Sequence, residues 1–272
     1  MSFKTLGRIV TVSGVSAAVL GGAYAASVYS RISPVPKKNI TTVYDVPDSF
    51  KNSRTVREFV NPRGYNCVGE SLVLTLDIPA HRRDVSDEVL LAQFVKGFFG
   101  GRVFAPEAAF LTNVGIDKGE FTKLASISSR KRITKALDLS EDTLPPLFAA
   151  IFHLFHVTDV QLQNRHGGSP TETESSIDIA FGSDQRPFSG AHRFSILRDP
   201  SQKSDDDDGS IQVRVYCGSV ICNPVVDTKD IAPWIMWKFH DFYSVLLFRE
   251  AVAEMKRFLG QGPGLEDGME LR

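Results

Sequence analysis

His153 and His156 stand three residues apart, a spacing that can put two imidazoles on one helix face within reach of a shared metal ion. No carboxylate or cysteine sits at a supporting spacing, so the pair reads as a polar break in an apolar segment. No metal or other cofactor is expected. His240 and Asp241 match in type a general base and its orienting acid, but adjacent helix positions point about 100° apart and cannot form that hydrogen bond. Taken singly, each suits the wall of a cavity. His192 and Arg193, preceded by Gly190, could set a cation at a cavity mouth or pair with Asp178 or Asp184 on an adjoining strand. Trp237 lies one turn before Asp241 and two before Ser244, on a stripe with the small and polar groups a ligand cavity needs. Its indole either faces a ligand or fills core volume. The candidate binding residues are therefore Trp237, His240, Asp241, His192 and Arg193.

The sequence contains no G-x-S-x-G elbow, P-loop, dinucleotide-binding glycine pattern or zinc signature, so the commonest hydrolase, kinase and dehydrogenase mechanisms lose their usual support. Asp205 to Asp208 read as a solvated hairpin loop, and Arg130, Lys131 and Arg132 with Lys135 as a solvated face that could touch anionic headgroups. With 31 basic residues against 32 acidic ones, no global charge draws the chain to nucleic acid. The three cysteines, Cys67, Cys217 and Cys222, match neither a metal site nor a disulfide framework, which fits a reducing compartment. Cys217 and Cys222, an odd number apart on one strand, point to opposite faces and cannot pair with each other.

In 272 residues with 42% apolar content there is material for one sizeable domain beside the N-terminal segment or at most two small ones, and a single domain is the expectation. Leu72, Leu74, Leu76 and Ile78 alternate with Val73, Thr75 and Asp77, the period-two pattern of a strand. A helix follows, with Ser86 as N-cap, Asp87 and Glu88 complementing its dipole, a Phe-rich face through Leu90, Phe94 and Phe98, and Gly100-Gly101 at its end. Phe148 to Val157 is apolar on every side and fits a buried helix or a buried strand. Three strands come next, through Ile177-Ile179-Phe181, Phe194-Ile196 and Ile211 to Ile221, spaced as an antiparallel meander. After Pro233 a helix from Trp234 to Leu259 should turn Ile235, Phe239, Phe242, Leu246, Val252 and Leu259 inward, and Glu250, Glu254, Lys256 and Arg257 outward. The class is α+β, a curved antiparallel sheet packed on a long C-terminal helix.

The N-terminus adds a different element. Ile9 to Tyr29 carries no charge, and as a helix the run reaches about 30 Å, enough to cross a bilayer. It is expected to be a retained single-pass transmembrane helix within residues 1–31. Lys4 and Arg8 before it and Ala23-Tyr24-Ala25 within it also suit a cleaved signal peptide, and the lack of any acid before Asp45 suits a mitochondrial presequence. Small residues at Ala17, Gly21 and Ala25 would let a second helix approach in lipid. Residues 32–43, with Pro34, Pro36, Lys37 and Lys38, read as an extended linker. The folded part should begin near Tyr44 and end at Leu259, ahead of a disordered tail over 260–272.

The order of elements resembles the helix-grip superfamily of hydrophobic-ligand carriers and polyketide cyclases. More locally, Phe181-Gly182-Ser183-Asp184, Gly190-Ala191-His192-Arg193-Phe194-Ser195 and Cys222-Asn223-Pro224 resemble uncharacterised single-domain proteins of fungi over about Gly64 to Phe258. They also resemble, over the C-terminal third alone, an uncharacterised helix-grip-like family (START/polyketide-cyclase-like) of plants and bacteria. What the resemblance implies is a cavity between sheet and terminal helix. The expected function is a membrane-anchored domain that binds a hydrophobic small molecule or lipid. The alternatives are a cyclase or acyl-transfer hydrolase using His192 or His240 as acid–base, and a non-catalytic assembly factor.

Overall fold

In the computed structural model, residues 20–114, 121–127, 129–163, 173–199 and 209–261 are described. The chain folds as α+β around one eight-stranded sheet of order β1-β2-β8-β7-β6-β5-β4-β3. In chain order the strands are β1 (Thr41–Val43), β2 (Cys67–Ile78), β3 (Arg132–Ile133), β4 (Ala150–Ile151), β5 (Phe155–Gln161), β6 (Thr173–Gly182), β7 (Ser189–Arg198) and β8 (Ile211–Cys222). Every neighbouring pair is antiparallel except β3 and β4. The helices are α1 (residues 20–32), α2 (Asp48–Lys51), α3 (Asp87–Gly100), α4 (Ala105–Val114), α5 (Thr122–Ala125) and α6 (Trp234–Phe258).

Because strand side chains alternate between faces, β6, β7 and β8 each build two cores, and β2 adds its apolar face to the front one. The front face carries Leu72, Leu74 and Leu76, Ile177 and Ile179, Phe194 and Ile196, and Val213, Val215 and Cys217, all covered by α3 and α6. The back face carries Ala180, Ala191, Val220 and Cys222 under a smaller layer built from α2, α5 and the π-helical turn Val56–Val60. Cys217 and Cys222 thus do fall on opposite faces.

The capped helix forms as its sequence dictates. Ser86 accepts a hydrogen bond from the Val89 N–H at 3.3 Å. Phe94 is fully buried at the hub, its ring 4.8 Å from Phe194 and 5.8 Å from Phe248. Gly97 is there for closeness: a Cβ at that position would stand 2.7 Å from the Ala251 Cα, so α3 and α6 cross backbone to backbone. Gly101 likewise leaves room for the carboxylate of Glu250, which a Cβ would strike.

Phe148 to Val157 proves to be strand. It forms β4 and the start of β5, joined by a turn in which Phe152 and His153 have φ of 47° and 64°, and Phe148 just before it has 66°. Few non-glycine residues adopt that region, and no hydrophobic periodicity announces it. His153 and His156 therefore do not share a helix face; His156 lies on the back of β5, edge-on to the Phe121 ring at 6.2 Å. Asp205 to Asp208 lie outside the described residues, while Lys131, Arg132 and Lys135 are exposed around the edge strand β3.

Two expectations need correction. Along α6 the N-terminal half is not turned inward: Ile235, Phe239 and Phe242 are 57%, 59% and 64% exposed, whereas Glu250, expected in solvent, is fully buried. Helical periodicity mis-assigns them because α6 crosses α3 and is covered on several sides from Val245 onward, while its first turns stand off the sheet over a cavity and are exposed on their outer side. The second concerns residues 32–43. They are not an extended spacer: Ile32 and Val35 are buried, Arg249 donates to the carbonyls of Val35 (2.6 Å) and Ile32 (3.3 Å), and Thr41–Val43 pairs with β2. Of the uncharged run Ile9 to Tyr29, the part before residue 20 lies outside the described residues. Among the described residues no helix is long and apolar enough to cross a membrane. The expected tail, beyond Gln261, also lies outside them.

Candidate functional site

Between the front of the sheet and the overhanging half of α6 lies a cavity of about 390 Å³. It exists because α3 fills only one end of the front face. At the other end the forward side chains of β2, β6, β7 and β8 meet no helix until α6 spans the gap above them. The floor is Leu72, Phe181, Cys217 and Ile221; Phe98 of α3 and Phe104 form one wall, and Met236, Trp237, Phe239 and Leu247 of α6 the roof. The same turns of α6 that roof the cavity expose Trp234, Ile235, Met236, Phe239 and Phe242 on the outside, each 54–73% accessible. A second groove, lined by Tyr24, Val28 and Tyr29 of α1 and by Phe239, Tyr243 and Leu246 of α6, makes this apolar surface continuous with the N-terminal helix.

A few polar groups are set into the apolar lining. The Tyr243 hydroxyl donates to the Glu107 carboxylate at 2.8 Å, tying α6 to α4 across the mouth, and burial pushes the Glu107 carboxyl above the usual range. Glu70 on β2 faces the roof, its carboxyl raised mainly by burial, with the Ser244 hydroxyl and His240 pulling the other way. His240 Nδ1 stands 3.4 Å from Glu70 Oε1. His192 sits deeper, ringed by Phe98 at 5.5 Å, Phe181 at 4.7 Å and Phe194 at 6.0 Å. Three buried polar atoms that line the cavity, Glu70 Oε1, His192 Nδ1 and Ser219 Oγ, have no hydrogen-bond partner among the described residues. Native interiors rarely leave such atoms unmet without reason.

Four of the five residues singled out from the sequence gather here. His192, Trp237 and His240 line the cavity, and Asp241 lines an adjoining surface cleft that Glu70, Trp237 and His240 also border. Arg193 does not join them. One position on from His192, it points to the back of the sheet, where it binds Asp178 bidentately at 2.6 and 2.8 Å and lies 4.7 Å over the Phe50 ring. Its role is structural, the pairing with Asp178 that the sequence left open. Sequence reading missed Glu70 and Glu107, whose partners lie more than a hundred residues away; the one available signal was that Glu70 continues the inward register Leu72, Leu74, Leu76 toward the strand's start. It also missed that Cys67 lies opposite Cys222 in the β2–β8 register.

His192 has a measurable consequence. Burial, with a smaller contribution from His240, pushes its imidazole down to about 3. Folded His192 stays neutral where an unfolded histidine, with a pKa near 6.5, takes up a proton, so stability is complete above about pH 6.5 and is lost as pH falls from there toward 3. The slope from this group is about 1.4 kcal/mol per pH unit. In thermal melts between pH 7 and 4, His192→Phe, which keeps an aromatic ring in the cage, should flatten the decline relative to wild type; an unchanged decline would place the titration elsewhere.

Comparison of the chain with protein-family models, with curated proteins and with solved structures finds no match.

Proposed function

We propose that this protein is a membrane-anchored domain of helix-grip type that holds a hydrophobic small molecule or lipid between its sheet and α6. The observation that carries this reading is the cavity: its aromatic and aliphatic lining suits an apolar guest, and its few unmatched polar atoms suit a single polar head. Its roof also carries the exposed apolar surface described above. A patch of that kind beside a polar surface marks a place of contact, and the bilayer is the partner favoured here, because α1, which holds the described end of the uncharged run Ile9 to Tyr29, lies on the same side. Aromatic side chains such as Trp234 and Tyr29, the latter on the described end of that run, suit the headgroup level of a membrane.

The enzymatic alternative loses one of its two histidines, since a general base works best with a pKa near the operating pH and His192 is held far below it. The assembly-factor reading rests on a filled interior, which the cavity does not favour.

The test is made on the full chain. It should stay with membranes through a carbonate wash and, once extracted in mild detergent, carry a lipid-sized mass in native mass spectrometry. Trp237→Phe should keep the melting temperature and change which guests are retained. Full release by carbonate would remove the anchor. A domain that never carries a guest other than detergent, and takes up no fluorescent fatty-acyl probe, would remove the binding function.

A further inference from the structure

Glu70, His240 and Asp241 bring one ligand atom each to within 4.8 Å of one another. We infer that these three side chains form a binding site for a divalent first-row transition metal at the boundary between the cavity and the adjoining cleft. Three observations carry this.

The first is the state of Glu70. Its side chain is 9% exposed, it points at the other two residues, and its Oε1 has no hydrogen-bond partner among the described residues. A buried carboxylate oxygen is ordinarily met by a donor. The His240 Nδ1 beside it, at 3.4 Å, is within ion-pair distance but makes no hydrogen bond to it. That distance suits two ligands of a common ion: bonds of about 2.1 Å at a tetrahedral angle place the ligand atoms about 3.4 Å apart.

The second is donor chemistry. The three side chains offer two carboxylate oxygens and one imidazole nitrogen to a common point. The mixed nitrogen and oxygen donor set suits zinc, manganese or ferrous iron better than calcium or magnesium.

The third is position. Glu70 and His240 border both the cavity and the cleft, so an ion between them is reached from the open side and keeps a free coordination position toward the apolar side. His240 and Asp241 are adjacent on α6 and cannot hydrogen-bond to each other in the manner of a catalytic pair. An ion off the helix flank can still take one atom from each, with Glu70 closing the third side from β2. If the cavity reading above holds, the free position would take an oxygen of the guest's polar head; metal binding itself does not depend on that reading.

The experiment uses the full chain in detergent, stripped with a chelator and dialysed. Zinc is then measured by equilibrium dialysis, and Co²⁺ by its visible ligand-field absorption. One ion per chain is expected. Glu70→Gln and Asp241→Asn, which keep side-chain size, should each weaken binding by about tenfold or more and change the Co²⁺ spectrum, with melting curves of the stripped proteins confirming the fold. His81→Ala, at an exposed histidine far from the site in sequence, should change neither. No stoichiometric binding by the wild type, or equal binding by the Glu70 and Asp241 variants, would overturn the site. Guest retention measured on the same stripped protein tells this failure apart from failure of the cavity reading: a metal-free domain that still carries a lipid-sized mass sinks the metal and leaves the cavity.

Discussion

Phe94→Asp should abolish cooperative unfolding altogether. Its ring is fully buried and touches Phe98, Phe194 and Phe248, which together join α3 to the sheet and to α6. Truncating such an aromatic costs roughly 3–5 kcal/mol, and desolvating an unpaired carboxylate in its place adds several more. Since domains of this kind are stable by only about 5–15 kcal/mol, the sum removes most or all of the margin. Circular dichroism melts should show a broad, non-cooperative curve for Phe94→Asp and a sharp one at reduced temperature for Phe94→Leu. A sharp transition for the aspartate variant near the wild-type temperature would mean that α3 does not pack as described.

The second large effect is expected at Glu250. Its carboxylate accepts hydrogen bonds from the backbone N–H of Arg102 at 2.8 Å and of Val103 at 2.6 Å, and pairs with Arg31 at 3.5 Å. Hydrogen bonds to a charged group contribute about 1.5–3 kcal/mol each, so losing the two from Arg102 and Val103 means that Glu250→Ala should cost roughly 3–6 kcal/mol. Glu250→Gln, which keeps one acceptor oxygen, should fall between. Lys256→Ala, two turns further along at a part-exposed position, should move the urea midpoint little. A Glu250→Ala midpoint equal to that of Lys256→Ala would return Glu250 to the solvent face on which the helical wheel had put it.

Glu250 shows where sequence reading stops. Period-two alternation located β2, the meander and their faces, because strand side chains obey a local rule. The N-cap behaved likewise: Ser86 acts within a turn of itself. The faces of α6 did not follow, because a helix's inward side is set by what crosses it. Gly97, which meets Ala251 of α6, and the Arg102–Val103 backbone, which meets Glu250, belong to other stretches of chain. The site was legible to the same degree. His192, Trp237, His240 and Asp241 could be proposed from their own neighbourhoods, while Glu70 shows locally only an inward register, and its partners appear once β2 and α6 are side by side. Arg193 failed as a site residue for a purely local reason: beside an inward-facing His192, a strand position must face the other way.

The attachment of α1 bears on how the domain would explore a bilayer. From Leu20 to Ile32 the helix rises about 18 Å, and it ends in the Arg249 clamp on Ile32 and Val35, with Tyr24 donating to the Arg102 carbonyl on the way. A chain held in lipid by the preceding residues would therefore carry its domain on a short stiff stalk. A flexible linker dilutes what it joins over the volume it sweeps, whereas a stalk keeps the cavity mouth at one height and one orientation.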